Sequence, residues 1–150
     1  SNDGLAWQRP YRGTDMGVWT YADPFAYEGG LGLVAHDERC LTLFPVRRDG
    51  FACCTADAQG SFCTRPFIMP PGELLLNADC RQGTVAVELL DENGVGIPGC
   101  EADGCRWEAA DGCELPLRWR DSATDRFAGQ RVRLRFVLER AKVWSVTGTH

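Results

Sequence analysis

Apolar and polar residues alternate with a period of two along much of this chain, and the alternation predicts β-strands. The clearest case is RVRLRFVLE, residues 131–139. Its apolar side chains fall on one predicted face and its arginines on the other: Val132, Leu134, Phe136, Leu138 against Arg131, Arg133, Arg135. The apolar face of such a strand is expected to lie in the core.

A β-hairpin is predicted where TVAVELL is followed by DENG and VGIPG. Asp at the first position and Gly at the fourth position of DENG suit a type I turn between two strands. We therefore expect residues 84–90 to pair with residues 95–97.

The remaining alternation predicts more short strands in ELLLNADC, CLTLFPV, ELPLRW and KVWSV, and one helical turn in SATDRFAG. Ser122 or Thr124 could cap that turn, and Gly129 could end it. Short strands separated by Gly, Pro and Asp turns indicate an all-β fold. The prediction is a jelly-roll-like β-sandwich of two antiparallel sheets.

Two segments lack clear alternation. Residues 1–30 are aromatic and punctuated by Gly and Pro, and we expect an irregular segment that packs on a sandwich formed by residues 31–150. Residues 99–113, GCEADGCRWEAADGC, form a polar insert that is predicted to be a surface loop.

The stretch FACCTADAQGSFC, residues 51–63, holds three of the eight cysteines. DAQG has the same Asp-to-Gly turn form as DENG, so a hairpin is expected that places Cys54 opposite Cys63. Cys53 and Cys54 are adjacent and should point to opposite faces of one strand, with at least one buried. Three interpretations stay open: buried free thiols, a cross-strand disulfide, or metal ligands.

The other cysteines also leave their chemistry open. Cys100, Cys105 and Cys113 have C-x4-C-x7-C spacing, which lacks the second tight pair of a structural zinc site. A disulfide within this loop is an alternative in an oxidising compartment. Cys40 and Cys80 fall in predicted strands and are expected in the core.

The formal net charge of −5 argues against nucleic acid or an anionic membrane as a partner, because both attract cationic surfaces. No apolar run approaches the roughly 18 residues of a membrane-spanning helix. The cellular location stays open, and nothing indicates a metal or another cofactor.

No catalytic residue is assigned from the sequence. His36 has no nucleophile-elbow motif beside it and reads as a turn residue, and most acids occupy turns where local hydrogen bonds account for them. Trp107, in the polar insert, is the candidate for a carbohydrate-stacking ring, with packing onto the sandwich as the alternative. Trp119 and Trp144 lie in predicted strands and are expected in the core.

Several stretches occur together in one order: RRDGF, TRPF, GELLLNADCRQGTVAVELLDENGVGIPG, LRW and AGQRVRLRFVLERAKVWS. In this the chain resembles the C-terminal β-sandwich that follows a five-bladed propeller in uncharacterised glycoside-hydrolase-like proteins. Those proteins are themselves distantly similar to invertase-type and arabinanase-type glycosidases. SNDGLAWQRP, at residues 1–10, is similar to a stretch at the end of the family's propeller.

The resemblance implies a non-catalytic accessory domain that stabilises its parent protein or an oligomer, or contacts carbohydrate. The catalytic carboxylates of the related glycosidases lie on the propeller, so none is carried over to this chain. Two alternatives are a small glycoside hydrolase with its own carboxylate pair and a protein-interaction module. Carbohydrate, a propeller domain or a second copy are the expected partners.

The arrangement of residues 131–139 can be tested by mutation. Phe136→Ala should lower the free energy of unfolding by about 3–5 kcal/mol, because it deletes a buried ring. Arg133→Ala should cost only roughly 0–1 kcal/mol, as expected for an exposed ion pair. Urea denaturation of both variants measures the difference, and a larger loss in Arg133→Ala would contradict the assignment of faces.

Overall fold

The computed structural model describes residues 25–36, 41–50, 52–119 and 124–149. Every strand in these ranges pairs with its neighbours in the antiparallel sense, and the strands form one sheet of three and one sheet of seven. The prediction of an all-β fold with two antiparallel sheets is therefore confirmed.

The chain divides into two compact units, residues 1–46 and residues 47–150. In the first unit β1 (Phe25–Tyr27), β2 (Gly30–His36) and β3 (Leu41–Val46) follow one another in a meander. Glu28 and Gly29 join β1 to β2 with φ angles of 44° and 79°. Positive φ at both residues is the signature of a type I′ turn, which matches the twist of the two strands it connects.

The described part of the second unit contains seven strands and a short 3-10 helix, Thr124–Phe127. The strands are β4 (Cys54–Cys63), β5 (Phe67–Ile68), β6 (Leu74–Asp79), β7 (Thr84–Asp91), β8 (Arg106–Glu108), β9 (Asp111–Leu117) and β10 (Arg131–Gly148). They form a sheet of order β8-β7-β10-β6-β9, which curls into a half-barrel. β4 and β5 also pair with β10.

β10 is the central strand, and β6 and β7 lie one after the other along it. Val132 to Glu139 pair with β7, and Lys142 to Gly148 pair with β6. β8 and β9 likewise follow one another along β7 and β6. These strands thus form three long antiparallel segments, residues 74–91, 106–117 and 131–148, and β4 and β5 add a further segment along β10.

All three segments are interrupted at one transverse line, which we call the bend line: residues 80–83, 109–110 and 140. Arg140 and Ala109 have φ angles of 42° and 50° there. Backbone hydrogen bonds join the interruptions, from Cys80 N–H to Ala110 O (2.8 Å) and from Ala109 N–H to Gly83 O (3.3 Å). Interrupting neighbouring strands at the same level lets the whole sheet turn, as β-bulges do at barrel corners.

The core occupies the inner face of the half-barrel. Val85, Val87 and Leu89 of β7 have no exposed surface, and Phe136 of β10 is 1% exposed. Val132, Leu134 and Leu138 are buried on the same face, as predicted. The predicted hairpin is present only next to its turn, where Asp91 N–H donates to Val95 O and Ile97 N–H donates to Leu89 O. Leu90↔Gly96 is an isolated bridge, and residues 95–97 do not form a strand.

The arginine face of β10 lies outside, as predicted. Arg131 and Arg135 are exposed, and Arg133 is half-buried. Arg135 forms an ion pair with Glu88 on the neighbouring strand, and Arg133 donates to the carbonyl of Glu92. The predicted helical turn is present as the 3-10 helix, and Gly129, with φ of 79°, ends it.

The hairpin predicted at DAQG is wrong. Residues 54–63 form one strand that pairs with β10 from Cys63↔Arg135 to Cys54↔Val143, with a register shift where Asp57 and Ala58 lie opposite Arg140. Cys54 and Cys63 therefore lie at opposite ends of ten residues, about 30 Å apart. Cys53 and Cys54 are both exposed, so the expectation that one of them is buried is also wrong.

The polar insert 99–113 is more than a surface loop. It contains β8 and the start of β9, and Cys100 and Cys105 are buried in the core. The carbonyls of these two cysteines accept hydrogen bonds from Leu89 N–H and Val87 N–H. Buried thiols behave as small hydrophobic side chains and hold this segment on the edge of β7.

The predicted division at residue 30 is not tested, because residues 1–24 lie outside the described residues. The description likewise leaves out Cys40 and Ser122. Cys80 is buried, as expected for a core residue.

Gly83 is the position where the bend line tolerates least change. A Cβ at this residue would lie 1.8 Å from the carbonyl oxygen of Glu139. We expect Gly83→Ala to destabilise the protein by about 2–3 kcal/mol, because the backbones of two strands must separate. Thermal and urea denaturation provide the measurement.

Gly94→Ala is the matched control for this substitution. Gly94 has φ of 88° and nothing within 4 Å of its virtual Cβ, so only a backbone penalty of about 1–2 kcal/mol applies. Equal losses in the two variants would show that the close approach at Gly83 does not constrain the bend.

Candidate functional site

An apolar groove of about 490 Å³ runs along the inner face of the half-barrel. It lies where β4, β5, β6 and β10 meet, and among the described residues its lining holds four aromatic rings and no charged side chain. The lining residues are Cys54, Phe62, Thr64, Phe67, Ile68, Pro70, Leu74, Leu134, Phe136, Val143, Trp144, Ser145, Val146, Gly148, of which the buried Phe136 forms the floor.

Aromatic packing supports the floor of this groove. Phe62 of β4 is paired with Phe136 of β10, and their rings stack at 4.7 Å between centroids with an interplanar angle of 11°. Offset-stacked rings at this distance add attraction beyond the area they bury. Ile68 of β5 is 65% exposed, so the groove is bordered by an apolar side chain that faces solvent.

Trp144 borders the groove, and a cationic side chain covers its ring. The register between β10 and β6 shifts between Val143 and Ser145, which makes Trp144 a bulge residue. The guanidinium of Arg47 lies 4.6 Å from the centroid of the Trp144 ring, within the range of a cation–π interaction. The prediction that Trp144 is a core residue is therefore only partly met, because it is half-buried.

Arg47 is fixed by a polar network. Its guanidinium donates to the side chain of Asn77, to the carboxylate of Asp111 and to the carbonyl of Ala78. Asn77 is 2% exposed, and its amide donates in turn to the carbonyl of Arg48 at 2.6 Å. Because each buried polar group has a partner, the network holds the turn at residues 47–50 against β6.

A second, polar pocket of about 530 Å³ lies at the bend line. Asp57, Asp79, Arg81, Arg140 and Lys142 contribute to its lining. Arg81 forms two hydrogen bonds with the Asp79 carboxylate, at 3.0 and 2.7 Å. These bonds lower the pKa of Asp79 to about 2, whereas a glycosidase's general acid needs a raised pKa.

The described cysteines are all free thiols and fall in three environments. Cys53, Cys54 and Cys63 are exposed, Cys113 is half-buried, and Cys80, Cys100 and Cys105 are buried. Burial raises the pKa of Cys105 to about 11, and the nearby Cys100 adds to this shift. A thiol in such surroundings is a poor nucleophile. We therefore interpret the buried cysteines as core residues and not as reactive thiols.

The sequence-predicted tryptophans lie apart from the groove, except for Trp144. Trp107 is in β8, half-buried against the core and opposite Val85, and its role as a carbohydrate-stacking ring stays a prediction. Trp119 is 3% exposed and donates from Nε1 to the carbonyl of Val87 at 2.8 Å, which confirms it as a core residue. The backbone of His36 pairs with Leu41 at the end of β2.

The groove was not predicted from the sequence. Phe62 and Phe67 were not singled out, because the supposed hairpin separated Phe62 from β10. Alternation did carry a usable signal: Cys54, Ala56 and Phe62 have even numbers and share the inner face of one strand.

Within the described ranges, no three His, Cys, Asp or Glu side chains lie close enough together to hold a metal ion. No helix in the described part of the chain is long and apolar enough to cross a membrane. Comparisons with protein-family models, curated proteins and solved structures gave no match.

The Asp79–Arg81 pair predicts a pH dependence of stability. The pKa of Asp79 is about 2 in the folded protein against 3.8 for the ordinary side chain. The depressed pKa stabilises the fold fully above about pH 4, and this contribution is lost as the pH falls towards 2. We expect the stability difference between wild type and Asp79→Asn to shrink over that interval in urea denaturation.

Arg81→Gln is the partner variant for this measurement. It removes the main cause of the lowered pKa, so the double variant should lose little beyond either single variant. Additive losses from the two substitutions would contradict the coupling.

Proposed function

We propose that this chain is a non-catalytic accessory β-sandwich domain of a glycoside-hydrolase-like protein, and that it stabilises the parent protein through its apolar groove. The observation that carries the proposal is the lining of the groove. Among the described residues it is mostly aromatic and aliphatic, with one thiol and two hydroxyls and no carboxyl, imidazole, amino or guanidinium group. Such a surface suits contact with an apolar polypeptide surface better than proton transfer or the hydrogen bonding of sugar hydroxyls.

The stretches that carry the family resemblance support this proposal, since they contact one another in the fold. Arg47 of RRDGF bonds to Asn77 of GELLLNADC, and Glu73 of the same stretch forms an ion pair with Arg118 of LRW at 2.6 Å. The hydroxyl of Thr64, in TRPF, accepts a hydrogen bond from Leu134 N–H. These stretches therefore hold the fold together. Such sequence motifs are expected in a family whose members share a fold and no catalytic site in this domain.

A carbohydrate-contacting role is the second candidate. Thr64 and Ser145 place hydroxyl groups beside the rings of the groove, and Trp107 is half-buried on β8. Aromatic faces with neighbouring hydroxyls are one way in which proteins bind sugars. The scarcity of polar groups in the groove favours the docking role.

One sample can separate these roles. The 150-residue chain is screened on a glycan array, assayed for hydrolysis of common glycosides, and titrated with an apolar fluorescent dye such as ANS. A docking domain should bind the dye, release no sugar and give no array signal. Ile68→Glu should weaken dye binding at least tenfold, because it places a negative charge beside an anionic dye, while Val95→Glu, on an exposed turn, should leave binding unchanged.

Two results would contradict the docking role. The first is sugar release that disappears in Asp57→Asn or another single-acid variant, which would make the chain an enzyme. The second is an array signal abolished by Trp107→Ala while Ile68→Glu retains it, which would make the chain a carbohydrate-binding module.

A further inference from the structure

β4 is an exposed edge strand. Eight of its ten residues are exposed, and only Ala56 and Phe62 are half-buried. Among the described residues its only strand partner is β10. Ten residues of strand with one unpaired edge present a row of backbone N–H and C=O groups that can pair with another chain.

The sequence of β4 contains little that would block such pairing. Natural edge strands are protected by Lys, Pro, short length or covering elements. β4 contains no Pro and no Lys, and Asp57 is its only charged residue. The edge is therefore open to strand addition.

The direction of the backbone groups agrees with an added strand. Thr64 N–H donates to the carbonyl of Leu134 on β10 at 2.9 Å. Backbone groups alternate sides along a regular strand. Gln59, Ser61 and Cys63 lie on the Thr64 side of the register shift at Asp57 and Ala58, so they direct their N–H and C=O groups away from β10. These three residues can form the ladder with a new strand.

Residues 53–63 are chemically palindromic about Ala58. An antiparallel copy related by a two-fold axis pairs residues of the same face, so the axis passes through one residue. With the axis at Ala58 the opposed pairs are Cys53 with Cys63, Cys54 with Phe62, Thr55 with Ser61, Ala56 with Gly60, and Asp57 with Gln59. Every pair is matched in polarity, and no like charges are opposed.

The neighbouring registers fit less well. An axis at Asp57 would set two carboxylates directly opposite each other, which is destabilising. An axis at Gln59 would place Cys63 opposite Thr55. Only the Ala58 register places two thiols in opposition at each end of the ladder.

We propose that β4 is a homodimerisation edge, at which a second copy of this chain adds its own β4 in antiparallel orientation with Ala58 on the two-fold axis. This joins two half-barrel sheets into one continuous sheet. Cys54 and Phe62 border the groove on the inner face, so the partner's strand extends that apolar face across the axis. This inference is independent of the proposed function.

A disulfide between the opposed cysteines would identify this register. The Cα atoms of a hydrogen-bonded antiparallel pair lie about 5.5 Å apart, within the range that a disulfide spans. Within one chain Cys53 and Cys63 are separated by about 33 Å of strand, so a disulfide between them must join two copies. All three thiols concerned, Cys53, Cys54 and Cys63, are exposed and free.

A low-molecular-weight disulfide can trap this pair. The thiolate of one cysteine attacks oxidised glutathione and releases one reduced glutathione. The opposed thiolate then attacks the mixed disulfide and releases a second. Two protein thiols are thereby oxidised to one disulfide and one glutathione disulfide is reduced, and a symmetric dimer contains two such bonds.

The experiment combines sedimentation velocity under reducing conditions with disulfide trapping and peptide mapping of the 150-residue chain. We expect a concentration-dependent monomer–dimer equilibrium and a cross-link between the peptides that contain Cys53 and Cys63. Ala58→Lys should weaken dimerisation at least tenfold, because it opposes two charges at the axis. Val95→Lys adds the same charge at an exposed turn and should leave the equilibrium unchanged, and thermal denaturation checks that both variants fold.

Three outcomes overturn the proposal. One is a monomer at every concentration, and another is a dimer that Ala58→Lys leaves intact. The third is trapping that yields Cys54–Cys63 or Cys63–Cys63 in place of Cys53–Cys63, which would place the axis elsewhere.

Discussion

The architecture of the second unit depends on the close approach of Gly83 to the carbonyl of Glu139. Only a residue without a Cβ allows the 80–83 connection to lie against β10 where that strand turns at Arg140. β6 and β7 both pair with β10, one on each side of its turn. Hydrogen bonds between residues 80 and 110 and between residues 83 and 109 therefore carry the turn into the neighbouring strands. Curvature at this line makes the apolar inner face concave and creates the groove.

Strands that combine a buried face with an exposed face were the most predictable part of the fold. The alternation at 131–138 and the DENG turn after β7 report local preferences that agree with the tertiary structure. The DAQG stretch has equally good turn chemistry, yet it lies inside β4. Pairing with β10 along residues 135–143 outweighs that local preference.

The candidate groove could not be predicted from the sequence, because its walls come from β4, β5, β6 and β10. No local pattern reports that Phe62 stacks on Phe136 or that a bulge turns Trp144 towards Arg47. Polarity was also misleading at residues 99–113, where buried cysteines fix a segment rich in charged residues and glycine. Residues of one strand face were predictable, but the meeting of four strands depends on the bend line.

β10 follows its partner strands β4, β5, β6 and β7 along the sequence, and this order has a consequence for synthesis on the ribosome. β4, β5, β6 and β7 all require β10 as their pairing partner, and its residues are translated after theirs. Before β10 emerges from the exit tunnel, the nascent unit can form only the pairs of β7 with β8 and of β6 with β9. Assembly of this sheet is therefore late and dominated by non-local contacts, and β4 lacks its pairing partner until residues 135–143 have left the exit tunnel.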